Sequence, residues 1–124
     1  TVDQFVEQQR AIMSRRDGRD VLERIACPTL ILAGRDDALC PYAVQEEMWK
    51  TVLRSPHIYD VRKGPPSPLH AAPATAPAAR TPRFPARFHI LEGVGHMSLL
   101  EQPDLVTESL RAWLAMQPEG GERA

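Results

Sequence analysis

The run Thr29-Leu30-Ile31-Leu32-Ala33-Gly34 constrains this chain more than any other six residues in it. After Thr29 every position up to Gly34 is aliphatic, without the polar alternation of a strand that keeps one face in water. The run predicts a strand covered on both faces, as in a parallel sheet. Gly34 ends it, and Arg35-Asp36-Asp37-Ala38-Leu39-Cys40-Pro41 follows at once. Two adjacent carboxylates therefore stand where a run built for burial stops. Taken alone, such a pair reads as a polar turn closing a strand.

The flanking segments supply helices and a second strand. Val2, Phe5, Val6, Ile12 and Met13 fall at helical spacing, with Gln9 interrupting the stripe. Gly18 and a cluster of charges break that pattern. Asp20 is the expected N-cap of a short helix carrying Val21, Leu22 and Ile25 inward, and Pro28 forces that helix to end before Cys27. Pro41 suits the first turn of a further helix, with Val44, Met48 and Val52 at four-residue intervals. Residues 87–93, Arg-Phe-His-Ile-Leu-Glu-Gly, read as the second strand, followed by a glycine-rich loop. From Pro103 onward Val106, Leu110, Trp113 and Leu114 share one helical face. Strand, helix, strand, helix is the order of a doubly wound α/β fold.

Residues 55–86 stand outside this order. Eight of the twelve prolines lie between Ser55 and Arg87, among Ala and Arg and with few large aliphatics. Such a segment buries too little apolar surface to offset its chain entropy, so it predicts a disordered or polyproline-like insertion. A proline-rich docking peptide is the functional alternative, although Pro65-Pro66-Ser67-Pro68 is not a clean motif of that kind.

Charge and cysteine use exclude several classes. A formal net charge of -1 points neither to nucleic acid nor to an anionic membrane. The longest apolar runs fall far short of the roughly 18 residues of a membrane span. The opening residues are polar and acidic where a signal peptide would be basic and then apolar. Cys27 and Cys40 bracket the first strand, which would hold them on the order of 20 Å apart, too far for a disulfide. They read as free thiols of a reducing compartment, so a cytoplasmic protein is expected. No Cys/His cluster has metal-ligand spacing.

A second stretch changes the reading of the first. Residues 93–103, Gly-Val-Gly-His-Met-Ser-Leu-Leu-Glu-Gln-Pro, follow the second strand just as the Asp-Asp pair follows the first. Together with Ile25-Ala26-Cys27-Pro28-Thr29-Leu30-Ile31-Leu32-Ala33-Gly34-Arg35-Asp36-Asp37, they resemble the C-terminal part of the α/β-hydrolase family. In that family the acid of a catalytic triad follows a late strand in a pattern close to G-x-x-D-x-x-x-P. The histidine follows the last strand in a pattern close to G-x-G-H-x-x-x-x-E-x-P. The resemblance assigns the acid to Asp37 and the histidine to His96, leaving Asp36 as a solvated or turn-capping carboxylate. His57, His70 and His89 match nothing in the pattern, and Ser98, beyond the histidine, is not the nucleophile.

The chemistry asks for these residue types. A serine hydroxyl is a weak nucleophile until a base takes its proton, and an imidazole, with an ordinary pKa near ~6.5, serves. A carboxylate on the other ring nitrogen fixes the tautomer and stabilises the imidazolium. Loops after neighbouring parallel strands open on the same side of the sheet, so Asp37 and His96 can converge there. Gly93 and Gly95 are expected to let the loop turn tightly and aim His96 inward.

The resemblance implies an α/β fold: a C-terminal fragment of a doubly wound, mainly parallel sheet with flanking helices. Residues 1–25 would be the helical end of a lid or cap, and 26–54 the strand, acid loop and helix of the core. Residues 55–86 would be the insertion, 87–117 the last strand, histidine loop and closing helix, and 118–124 a flexible tail. A chain that starts at Thr1 rather than Met fits a fragment or a processed product. No G-x-S-x-G nucleophile elbow occurs in the 124 residues. The complete form is expected to hydrolyse a carboxylic ester, lactone or similar small molecule without metal or cofactor, while this chain alone is expected to be inactive. The alternative is a non-catalytic, degenerate hydrolase or interaction module using the proline-rich insertion.

Overall fold

The computed structural model describes residues 1–65 and 82–117. In chain order the elements are α1 (Val2–Met13), α2 (Arg19–Leu22), β1 (Thr29–Gly34), α3 (Tyr42–Val52) and β2 (Ile58–Asp60). A single 3₁₀ turn (Val61–Lys63) follows, then β3 (Phe84–Leu91), α4 (Ser98–Glu101) and α5 (Pro103–Ala115). The three strands form one sheet in the order β1-β3-β2, and both ladders are parallel. Thr29 through Gly34 pair in step with Ala86 through Leu91, so β1 and β3 end level with each other.

Consecutive residues of a strand point to opposite faces, and β1 uses both. Ile31 packs against the cluster of Trp49, Val52, Ile58 and Ala86 on the α3 side, where Phe84, Phe88, Leu22, Ile25 and Leu53 add to it. Leu32 packs on the other side against Leu91, Val94 and Val106 of α5. Phe88 stacks on Trp49 and Tyr42, with ring centroids 5.9 and 6.2 Å apart. The result is an α/β fold with a parallel sheet between helices.

Several expectations from the sequence are corrected. The N-cap position of α2 is Gly18, and Asp20 sits in the first turn, paired with Arg24 at i,i+4. Val21 is exposed, so only Leu22 and Ile25 of the expected trio pack inward. Pro41 caps α3 rather than entering its first turn. The buried face of α3 is Gln45, Trp49, Thr51 and Val52, and Val44 faces solvent. The aromatic bulk of Trp49, wedged against Phe88, sets that rotation. In α5 the buried face is Val106, Ser109 and Trp113, while Leu110 and Leu114 are exposed.

The expected insertion is corrected at both ends. Ile58–Asp60 is a strand, and β3 begins at Phe84 rather than Arg87. Ile58 and Ala86 belong to the core. Pro85 pairs with Tyr59 of β2 but lies beyond the reach of β1, so on that side its missing N–H breaks no ladder. The Asp60 carboxylate is buried; the Arg62 Nε–H is shared between its two oxygens and Nη2 donates to Oδ2, while the Arg62 guanidinium lies 5.7 Å from the Trp49 ring centroid. The rest of that segment, 66–81, and the tail 118–124 lie outside the described residues. Among the described residues no helix is long and apolar enough to cross a membrane.

Candidate active site

The site lies where β1 and β3 end side by side. A Cβ on Gly34 would stand 2.2 Å from the Val94 carbonyl oxygen and 2.4 Å from that of Gly95. Only glycine lets the end of β1 lie this close to the loop after β3. Two backbone hydrogen bonds then join the loops: Arg35 N–H donates to the Leu91 carbonyl and Asp36 N–H to that of Val94, both at 2.9 Å. Arg35 adds an ion pair to Glu92 at 3.0 Å, and its guanidinium lies 4.2 Å from the Tyr42 ring centroid. Tyr42 and Glu92 thus both engage the Arg35 guanidinium.

This junction brings together Asp37 and His96, 59 positions apart. Nδ1 of His96 lies 3.1 Å from Oδ1 and 3.0 Å from Oδ2 of Asp37. The Asp37 side chain is 9% exposed and that of His96 48%. Oδ1 also accepts from the backbone N–H groups of Leu39 and Cys40, at 2.9 and 2.8 Å. The Cys40 amide above all holds the Asp37 carboxyl below the usual carboxylate range, against the opposing effect of burial, and His96 and then the Leu39 amide add smaller shares. An ionised carboxylate at Nδ1 favours the tautomer with its proton there. Nε2 is then the lone-pair nitrogen, and it has no hydrogen-bond partner among the described residues.

The histidine loop departs from expectation in how its glycines work. Gly93 has φ +69°, a turn that favours glycine. The backbone of Gly95 is not left-handed; instead the Glu101 carboxylate occupies the place of its missing side chain. The expected inward aim of His96 is met only in part: its side chain lines the trough edge and stays half exposed. Asp36 keeps its plain reading, with an exposed side chain and its amide in the loop junction. His89 lies on the α5 side of β3, where burial and then the Arg87 charge push its pKa down. His57 sits beside β2, and His70 is outside the described residues.

Gln45 was not singled out from the sequence. It is 4% exposed, and its amide nitrogen donates to the carbonyls of Gly34 and Cys40. It thereby ties α3 to both ends of the acid loop. The only sequence signal was a glutamine inside a helix whose neighbours repeat at apolar spacing. An open trough of about 390 Å³ runs from the Leu30–Gly34 edge of β1 past Met48 and Gln45 to Asp37, His96 and Ser98. Among the described residues no group of three or more His, Cys, Asp or Glu side chains is placed to hold a metal ion. Cys27 and Cys40 are unpaired thiols.

No protein-family model and no curated protein matches the chain. Among solved structures it is similar to a thermophilic esterase from Thermogutta terrifontis, a structure with malate bound, at 26% identity and a TM-score of 0.54. That likeness covers 82% of this chain and 26% of the esterase, so the chain spans about a quarter of that protein's length. The fold is hydrolase-like.

Proposed function

We propose that this chain carries the acid and the base of a nucleophile–His–Asp triad, and that in complete form the protein hydrolyses a carboxylic ester, lactone or similar small substrate. The observation that carries this reading is the Asp37 carboxylate on Nδ1 of His96 at 3.0 Å, at the level ends of two adjacent parallel strands. The likeness to an esterase supports it. Asp37 orients the imidazole and stabilises the imidazolium that forms on it. Nε2 takes the proton of a nucleophile as that atom attacks the acyl carbon, and returns it to the leaving oxygen. The nucleophile and the donors to the oxyanion belong to a part of the complete protein other than these residues, since no G-x-S-x-G elbow occurs in them.

The test is to read the coding sequence upstream of Thr1 for an in-frame nucleophile elbow, and to assay the longer product on an activated ester. The expected result is hydrolysis that His96→Ala abolishes and Asp37→Asn lowers by about 10⁴-fold. Hydrolysis by the longer product that survives His96→Ala would refute the reading. We propose a cytoplasmic location, a reading that the two unpaired thiols support.

The second reading is a non-catalytic interaction module. The exposed apolar stripe Val2, Phe5, Val6, Ile12 and Met13 of α1 favours it. An upstream sequence without an elbow would select this reading over the first.

A further inference from the structure

We propose that Glu101 is a positioning residue for His96. Its carboxylate accepts from the backbone N–H of Gly95 through Oε2 at 2.8 Å and from that of Met97 through Oε1 at 3.2 Å. These are the two amides on either side of His96. One charged group thus holds the peptide plane that follows His96 and the one that leads into Gly95, bracketing the short segment from which the imidazole projects, and charge-assisted bonds of this kind are shorter and stronger than neutral ones. Gly95 completes the arrangement: a Cβ there would stand 2.9 Å from Oε1 and 3.3 Å from Oε2 of Glu101. A side chain at 95 and the carboxylate in its present place exclude each other.

A rival explanation is local capping, because the Leu100 and Glu101 amides both donate to the Met97 carbonyl as α4 begins. Capping would stabilise α4 without changing the ring of His96. The positioning role does change it. The Asp37 carboxylate comes from a different loop, so a small rotation at 95–97 moves Nδ1 off both its oxygens. No bond joins Glu101 to the imidazole itself among the described residues. Its effect passes through the backbone.

The inference rests on the triad reading for its catalytic meaning, but its test needs no turnover. The probe is diethyl pyrocarbonate, which acylates neutral imidazole nitrogen. Reaction rates at each histidine are read from peptides by mass spectrometry across a pH series, on the 124-residue chain at sub-micromolar concentration. Asp37→Ala supplies the reference profile for a His96 without its carboxylate. Glu101→Ala and Gly95→Ala are each expected to move the His96 profile at least half of the way to that reference. Glu101→Gln, which keeps one acceptor oxygen, is expected to fall between them and the wild type. The half-buried His89 should keep its wild-type rate in every variant, as the sign that the fold is intact.

A wild-type His96 profile in Glu101→Ala or Gly95→Ala, with His89 unchanged, overturns the proposal. Loss of His89 protection in all three variants overturns it too, by giving Glu101 a role in the whole fold. An unmoved profile in Asp37→Ala would instead strike the triad reading, and the two failures are distinguishable.

Discussion

Gly34 stands opposite Leu91 in the β1–β3 ladder, and its missing side chain is what lets Asp37 reach His96. The obstacle to a larger residue is backbone, the Val94 and Gly95 carbonyls, and backbone can yield only if the histidine loop moves. Gly93 is a different case: nothing lies within 4 Å of a Cβ built there, and only its φ of +69° resists substitution. Gly34→Ala is therefore expected to destabilise by about 1–3 kcal/mol, as overpacking does, and to separate Asp37 from His96. Gly93→Ala is expected to lose about 1 kcal/mol through conformational strain alone. Urea unfolding followed by the fluorescence of Trp49 and Trp113 measures both. A larger loss for Gly93→Ala than for Gly34→Ala would contradict the assignment.

The Asp37 carboxyl is held below its ordinary range in the folded chain, by the Cys40 amide first. A depressed folded pKa contributes stability that is fully present above the unfolded pKa, about 3.9 for Asp, and is lost as pH falls through the folded value. Asp37→Asn is expected to be less stable than wild type at pH 7, with the gap closing below about pH 4. Parallel urea midpoints at several pH values decide it; a gap that stays constant down to pH 2 would place its origin in packing rather than in charge.

Much of this architecture is legible in the residues themselves. The aliphatic run at 29–34 is a strand because it has no polar alternation, and Asp37 and His96 meet because each follows a parallel strand. What escapes the sequence has physical causes. Ile58–Asp60 is too short to show a period and lies among prolines, so its membership of the sheet is decided by Ile58 packing on Ala86, a contact made across the fold. Gln45 is buried because two carbonyls of the acid loop need its amide, a demand that apolar periodicity does not register. Glu101 reads as an ordinary helix-leading acid until the amides of Gly95 and Met97 are seen to converge on it.

Asp60 and Arg62 offer a separate test of the sheet's far edge. The Asp60 side chain is 3% exposed and that of Arg62 61%, so the pair is half solvated and its worth is discounted accordingly. Asp60→Ala is expected to lose about 1–2 kcal/mol, chiefly hydrogen bonds to a charged group. Arg62→Lys should lose less than that, because an ammonium keeps the charge while giving up the forked geometry. Equal losses in the two variants would mean that charge contributes nothing there.

The exposed stripe on α1 and the edge of β1, which pairs with no strand among the described residues, give this chain two adhesive surfaces. Self-association that grows with concentration is expected. Sedimentation velocity over a hundredfold dilution series should show it, and Phe5→Glu with Ile12→Lys should reduce it. A monomer throughout, with one cooperative melt, would count against the expectation.

The last expectation concerns what the chain does by itself. His96 offers Nε2 as a base, but a base accelerates acyl transfer only when a nucleophile lies within hydrogen-bond reach of it. No nucleophile partners that nitrogen among the described residues. An oriented imidazole in an open trough then has only bulk water to activate, and an oxyanion donor, where one is set, is worth about 3–4 kcal/mol of barrier. The 124-residue chain is expected to hydrolyse p-nitrophenyl acetate no faster than an equal concentration of free imidazole, with His96→Ala indistinguishable from wild type. Saturable turnover that His96→Ala removes would show that the chain supplies its own nucleophile, and Ser98, which lines the same trough, would be the first residue to replace.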